Sequence, residues 1–149
     1  MATDADVTLR EITAETMRAV CDLDVRPDQR DYVAPNTFSI AQAYFEPKAW
    51  FRAVYAGETP VGFVMLHDDP EQGKYFLWRL MIDAEHQGKG FGRRALDLVV
   101  EHVRERPGAH ELLSSYQRGG EGPGGFYRAY GFLETGEIAH GEVVIRLAW

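Results

Sequence analysis

The chain has 149 residues, enough for one domain that buries about two-thirds of its unfolded surface. Hydrophobic residues at 45% and aromatics at 12% exclude disorder, and a net charge of -7 argues against nucleic acid or an acidic membrane as partner, since both need a cationic surface. One cysteine, Cys21, excludes an internal disulfide framework and a multi-cysteine zinc site, so no metal is expected, and no apolar run approaches the ~18 residues of a membrane span.

In chain order, residues 1–6 lack the basic flank and apolar stretch of a secretory signal, so a cytoplasmic protein is expected. Residues 7–12 alternate as a first strand. Thr13 then offers a helix N-cap, with Glu15 in the first turn, and this helix ends before Pro27. Cys21 lies on it at helical spacing with Met17 and Val20, as a packed thiol. Residues 26–37 are polar, carry two prolines and read as a surface loop or broken helix, and a second helix is expected to start after Ser39 and run to about Ala49.

Residues 51–56 and 61–67 form a hairpin joined by Gly-Glu-Thr-Pro. Residues 75–83 are apolar on both faces except Arg79, the pattern of a central strand covered on each side. A helix follows to about Arg106, with Phe91, Ala95, Leu96, Leu98, Val99 and Val103 on its apolar arc. Residues 111–116 form a strand, residues 119–125 a glycine-rich link and residues 126–130 a short helical turn. Residues 132–135 and 142–148 close the chain as strands. The order β-α-α-β-β-β-α-β-α-β-β is that of an α/β single domain, a mixed twisted sheet of about seven strands with about four helices on both faces.

The chemistry is concentrated at Gln87-Gly88-Lys89-Gly90-Phe91-Gly92, between the central strand and its helix. The glycines permit a tight turn and close backbone approach. The first amides of a helix point outward unpaired at the positive end of its dipole, so a strand feeding glycines into a helix N-terminus is an anion site suited to a pyrophosphate. Lys89, Arg93 and Arg94 add positive charge. The dinucleotide-binding fingerprint fails because residue 93 is Arg instead of Gly, and the phosphate loop of nucleoside triphosphatases fails because Asp83 stands where its first Gly belongs. A glycine turn with no ligand would cost about 1 kcal/mol per glycine relative to Ala in the first turn.

These residues resemble the acetyl-CoA loop of the GNAT superfamily of N-acetyltransferases, Q/R-x-x-G-x-G/A, through Gln87, Gly90 and Gly92. A second family signature, F-Y-x-x-x-G-F, stands intact at residues 126–132, and the resemblance covers essentially the whole chain. Val61-Gly62-Phe63, Arg79-x-Met81-Ile82-Asp83 and Gly141-Glu142-Val143-Val144 are similar to the bacterial spermine/spermidine (diamine) acetyltransferase group. The resemblance implies acetyl-CoA as cosubstrate, a small cationic, polyamine-like amine as acceptor, and a possible homodimer. It also implies splayed central parallel strands, with Leu80, Met81 and Ile82 pairing with the pantetheine arm. Residues 87–93 and Gly120 would complete the cofactor contacts.

By the same resemblance Tyr127 protonates the departing CoA sulfur, and a backbone N–H at Met81 or Ile82 polarises the thioester carbonyl. At pH 7 on the order of one alkylamine molecule in a thousand is neutral, so a base would help. Trp78 stands where some polyamine acetyltransferases place a carboxylate, which leaves the base open among Glu46, Asp68, Asp69, His67 and His86. Arg79 is expected to be structural, paired with a buried acid, and His86 to face solvent. The loops of residues 26–38 and 68–74, with their acids, are expected to line the acceptor side. Protein or antibiotic acceptors, or a non-catalytic acetyl-CoA-binding module, are the alternatives.

Overall fold

Seven strands form one mixed sheet: β1 (Val7–Arg10), β2 (Ala49–Ala56), β3 (Thr59–Asp69), β4 (Lys74–Ile82), β5 (Glu111–Tyr116), β6 (Leu133–Ala139) and β7 (Glu142–Ala148). Their order across the sheet is β1-β2-β3-β4-β5-β7-β6. The computed structural model describes residues 6–120 and 122–149. Residues 1–5, most of the segment read for a secretory signal, and Glu121 in the glycine-rich link lie outside the described residues. The α-helices are α1 (Met17–Cys21), α2 (Asn36–Phe45), α3 (Phe91–Arg104) and α4 (Gly124–Tyr130). No described helix is long and apolar enough to cross a membrane.

The sheet has a core on each face. On one, α3 buries Ala95, Leu96, Val99 and Val103 against Val64, Leu77 and Leu112. On the other, Val20 of α1 and partly buried α2 residues pack on Ala53, Phe63, Met65 and Met81. Tyr75 and Leu77 of β4 join the first core and Met81 the second, as expected of a strand covered on both sides. On α3 itself Val100 is buried and Leu98 only partly so, a slight rotation from the predicted arc.

Several boundaries differ from expectation for local reasons. The first helix shrinks to α1: residues 13–16 form a preceding turn in which the Thr13 N–H donates to Thr16 Oγ1 at 2.9 Å, so Glu15 lies outside the helix. Helix α2 begins at Asn36, immediately after Pro35, and ends at Phe45. Ser39 is therefore a buried interior residue of the helix. Asn36 is also buried, and its amide donates to the Val20 carbonyl at 2.9 Å, tying α2 to α1. Pro47 disfavours helix at the residue before it, and Glu46 is extended (φ -121°, ψ 103°), which frees Ala49 to start β2. Strand β6 runs on to Ala139 and meets β7 through His140-Gly141, whose φ values of 53° and 78° suit a two-residue hairpin turn. Strand β3 extends through Asp68 and Asp69, so these acids belong to the sheet and not to a loop.

Candidate functional site

Strands β4 and β5 run parallel but pair only at Phe76–Leu113 and Leu77–Ser114. At the last pair the buried Ser114 hydroxyl donates to the Leu77 carbonyl at 2.9 Å. The next residue, Trp78, is an extra residue with no partner on β3: Leu66 pairs with Leu77 and Met65 with Arg79. Such a bulge bends the strand and raises its twist. Past it β4 stays on β3 as far as Ile82 while β5 stays on β7 as far as Tyr116, so the two strands part. Between them opens a cleft of about 780 Å³.

The edge that β4 turns to this cleft follows from its register. The Asp83 N–H donates to Val61 O at 2.8 Å on β3. Strand alternation then directs Met81 at β3 as well, and the N–H and C=O of Leu80 and Ile82 away from it, towards the gap. Of the two amides considered for polarising a thioester carbonyl, Met81's is therefore ruled out and Ile82's is available. Gly62 allows this approach of the strands, because a Cβ there would collide with the Met81 carbonyl oxygen.

Glycine conformation shapes the far end of the cleft. Gly88 (φ 78°) and Gly90 (φ 81°) are left-handed, and Gly90 caps α3. A Cβ on either would meet nothing within 4 Å, so both leave open space before the first turn of α3. The first intrahelical bond is Arg94 N–H to Gly90 O, at 3.2 Å. This leaves the amides of Phe91, Gly92 and Arg93 without helical partners, and all three residues line the cleft. Gln87 lines it too, but its amide donates to Ile82 O at 2.9 Å and to Gln29 Oε1 at 2.9 Å. Its side chain thus anchors the loop to β4 and to the 3-10 turn at Pro27–Gln29. The Arg93 guanidinium lies over the Tyr130 ring at 5.2 Å.

At the vertex end stands Tyr127 of α4, buried to 6% exposure. Burial pushes its phenol up to about 12, against the opposing effect of the Ser114 hydroxyl and with a small push from Glu142. It is therefore protonated at neutral pH and competent as a donor. Gly124 lets α4 approach β5, since a Cβ would stand 2.7 Å from the Tyr116 ring. Tyr130, three residues on, turns away and donates to Asp97 Oδ1 at 2.6 Å.

The cleft collects Leu80, Met81, Ile82, Gln87, Gly88, Gly90, Phe91, Gly92, Arg93 and Tyr127 of the residues singled out from sequence. Lys89 and Gly120 are not in its lining; the glycine-rich link contributes Gly122 and Pro123 instead. Residues 29–35 line it as expected, and residues 68–74 do not. Asp68 instead binds Arg106 at 3.1 Å and His102 at 3.2 Å, Asp69 binds Lys48 at 2.9 Å, and Glu46 faces His67 at 3.7 Å. None of the candidate bases among these four lines the cleft.

His86 does line it, half-buried, with Nδ1 buried and unpartnered among the described residues. Among the described residues Arg79 pairs with no acid: it donates to Gln42 Oε1 at 2.9 Å and to the Trp78 carbonyl at 3.1 Å, and desolvation lowers its pKa. Sequence reasoning missed Tyr32 and Glu142. Tyr32 packs where Cβ atoms on Gly119 or Gly122 would collide with it, so the glycine-rich link is built to receive that ring. The glycines were the visible signal, but their partner in a distant loop was not.

Residues 9–132 match the acetyltransferase (GNAT) family. A Bacillus subtilis spermine/spermidine N(1)-acetyltransferase is 26% identical over 142 residues, 89% of this chain and 91% of the relative. Among solved structures, the PaiA N-acetyltransferase of Thermoplasma acidophilum in complex with coenzyme A has a TM-score of 0.71 at 14% identity, covering 97% of this chain and 99% of the other. A domain from Methanocaldococcus jannaschii has a TM-score of 0.77 at 14% identity, covering 98% and 100%. The parted strands, the glycine-capped helix and the Tyr127 vertex thus sit in a chain that belongs to the acetyltransferase (GNAT) family, acetyl-CoA-dependent enzymes that acylate amines.

Proposed function

We propose that the cleft holds acetyl-CoA and delivers its acetyl group to a primary amine of a small, cationic, polyamine-like acceptor. One observation carries this reading: a single cleft between parted parallel strands is lined both by orphan helix amides and by a buried, protonated Tyr127. The amides of Phe91, Gly92 and Arg93 suit a diphosphate. The cleft-side N–H and C=O of Leu80 suit the amides of a pantetheine arm, and the Ile82 N–H is placed to polarise a thioester carbonyl. Lys89 and Gly120 then contribute through the shape of their loops, without lining the cleft.

The raised phenol pKa refines the part played by Tyr127. Burial holds the proton on the Tyr127 phenol, and a thiol is the stronger acid of the two, so full transfer to sulfur runs uphill. Tyr127 therefore donates a hydrogen bond that stabilises charge on the departing sulfur, and solvent completes the protonation. The polyamine preference is supported by the name of the Bacillus relative and by the net charge of -7. The test is acetyl-CoA thiol release with a panel of polyamines, amino acids, aminoglycosides and peptide N-termini. Turnover highest with polyamines is expected. Turnover confined to peptides overturns the acceptor class, and none with any amine overturns the transfer.

A further inference from the structure

The C-terminal motif Gly141-Glu142-Val143-Val144 has so far had no chemical role. Glu142 is the first residue of β7, where the His140-Gly141 turn hands the chain back across the sheet beside β5. It lines the cleft, and Ser115 Oγ donates to its Oε1 at 2.7 Å. Its other oxygen has no protein partner among the described residues. Its charge acts on the Tyr127 phenol and on the Arg79 guanidinium.

The other charged or titratable groups lining the cleft leave Glu142 distinctive. Arg30 pairs with Asp24 at 3.0 Å, Arg93 covers the Tyr130 ring, and Arg79 donates to Gln42 and the Trp78 carbonyl. His86 lies tilted against the Phe91 ring, with centroids 6.5 Å apart. Among the described residues two carboxylates line the cleft: Asp31, in the exposed segment between α1 and α2, and Glu142, whose field reaches Tyr127.

Building on the amine-acetylation reading, we propose that Glu142 is a catalytic residue, whose carboxylate holds the acceptor's ammonium in the cleft and takes a proton from its nitrogen as the amide forms. A primary ammonium sheds two protons in becoming an amide N–H. The first leaves to solvent by ordinary ionisation. The nitrogen lone pair then forms the C–N bond to the thioester carbonyl carbon, and the nitrogen, now cationic and acidified, passes its second proton to Glu142. The C–S electron pair departs on sulfur, which accepts the Tyr127 hydrogen bond and takes a proton from solvent. The sum is ammonium plus thioester giving amide, thiol and one proton. A free alkylammonium is far too weak an acid to protonate a carboxylate directly, so the carboxylate acts after attack begins, once the nitrogen has been acidified.

Glu142→Gln removes the charge and keeps the shape. Against a polyamine it is expected to lower kcat/KM by about 10²- to 10⁴-fold, the range for a lost general base. Calorimetry should show the CoA-bound protein losing at least about tenfold in polyamine affinity, with acetyl-CoA affinity unchanged within about twofold and the melting temperature kept. Glu142→Asp should recover part of the turnover. Ser115→Ala, which leaves the charge in place, should keep at least about a tenth of it.

Wild-type turnover with Glu142→Gln unchanged in rate and amine affinity would make Glu142 a wall residue and overturn the proposal. So would a Ser115→Ala loss as deep as that of Glu142→Gln, which would assign the effect to the hydrogen bond. A Glu142→Gln protein that does not fold, with Glu142→Asp as impaired in folding, would assign a structural role and overturn it as well. A wild-type protein that binds acetyl-CoA but acetylates no amine fails at the broader reading instead, and takes this one with it.

Discussion

Gly90→Ala separates backbone strain from cofactor contact. Gly90 has φ 81° and caps α3, a conformation that costs an L-residue about 1–2 kcal/mol. For a chain of 149 residues each kcal/mol shifts Tm by about 2–4 °C, so a loss of roughly 2–8 °C is expected. The added methyl meets no protein atom within 4 Å and so adds no clash of its own. It would, however, stand in the open space where a diphosphate must approach the α3 amides. Losing one hydrogen bond to a charged oxygen costs about 1.5–3 kcal/mol, or roughly 10- to 100-fold in acetyl-CoA affinity. Gly136→Ala is the matched control, with φ 90°, no neighbour within 4 Å and a place on β6 outside the cleft lining. Thermal melts should show similar losses for the two variants, and calorimetry should show an affinity loss only for Gly90→Ala. Equal affinities in the two variants would refute the loop assignment, even with the predicted melting shifts.

Tyr127→Phe keeps the ring's packing and should leave acetyl-CoA affinity within a few-fold while lowering kcat and kcat/KM together by about 10²-fold, in steady-state assays that include Tyr130→Phe as a nearly neutral control. Near-normal turnover would reduce Tyr127 to a packing residue. Because burial raises the Tyr127 phenol to about 12, its donor form persists well above pH 10, so kcat/KM should climb with amine ionisation and show no falling limb from this group below about pH 11. A fall that begins near pH 9 and vanishes in Tyr127→Phe would contradict that. Gly62→Ala would press on the Met81 carbonyl and come 2.8 Å from Ile82 Cδ1, and should lower the urea midpoint by an amount equivalent to about 1–3 kcal/mol. An unchanged midpoint would contradict the β3–β4 register.

The hairpin, the β4 strand and the α3 helix were legible in the sequence because local pattern and tertiary role agree there. The α3 loop was legible because glycines at a helix start have few uses other than close approach to a ligand. The helix boundaries in the first 50 residues were not, although the first strand and the broken segment after it were. Helix α2 is set by a proline at each end and by the Asn36 bond to the Val20 carbonyl, a partner far off in sequence. Asp68 and Asp69 looked like loop acids because their ion-pair partners, Arg106 and Lys48, lie in turns on other segments, after α3 and before β2. Glu142 escaped notice as a site residue because β7 reaches the cleft only through pairing with β5, which no linear pattern reports.

The most direct test of the parted strands as the acetyl-CoA seat is amide chemical-shift mapping on titration with CoA. The account predicts large shifts at the amides of Leu80, Ile82, Phe91, Gly92 and Arg93, with Met81, turned to β3, moving less. Shifts centred instead on the smaller hollow beside Lys48, His67 and Lys74, with the α3 loop unmoved, would contradict it.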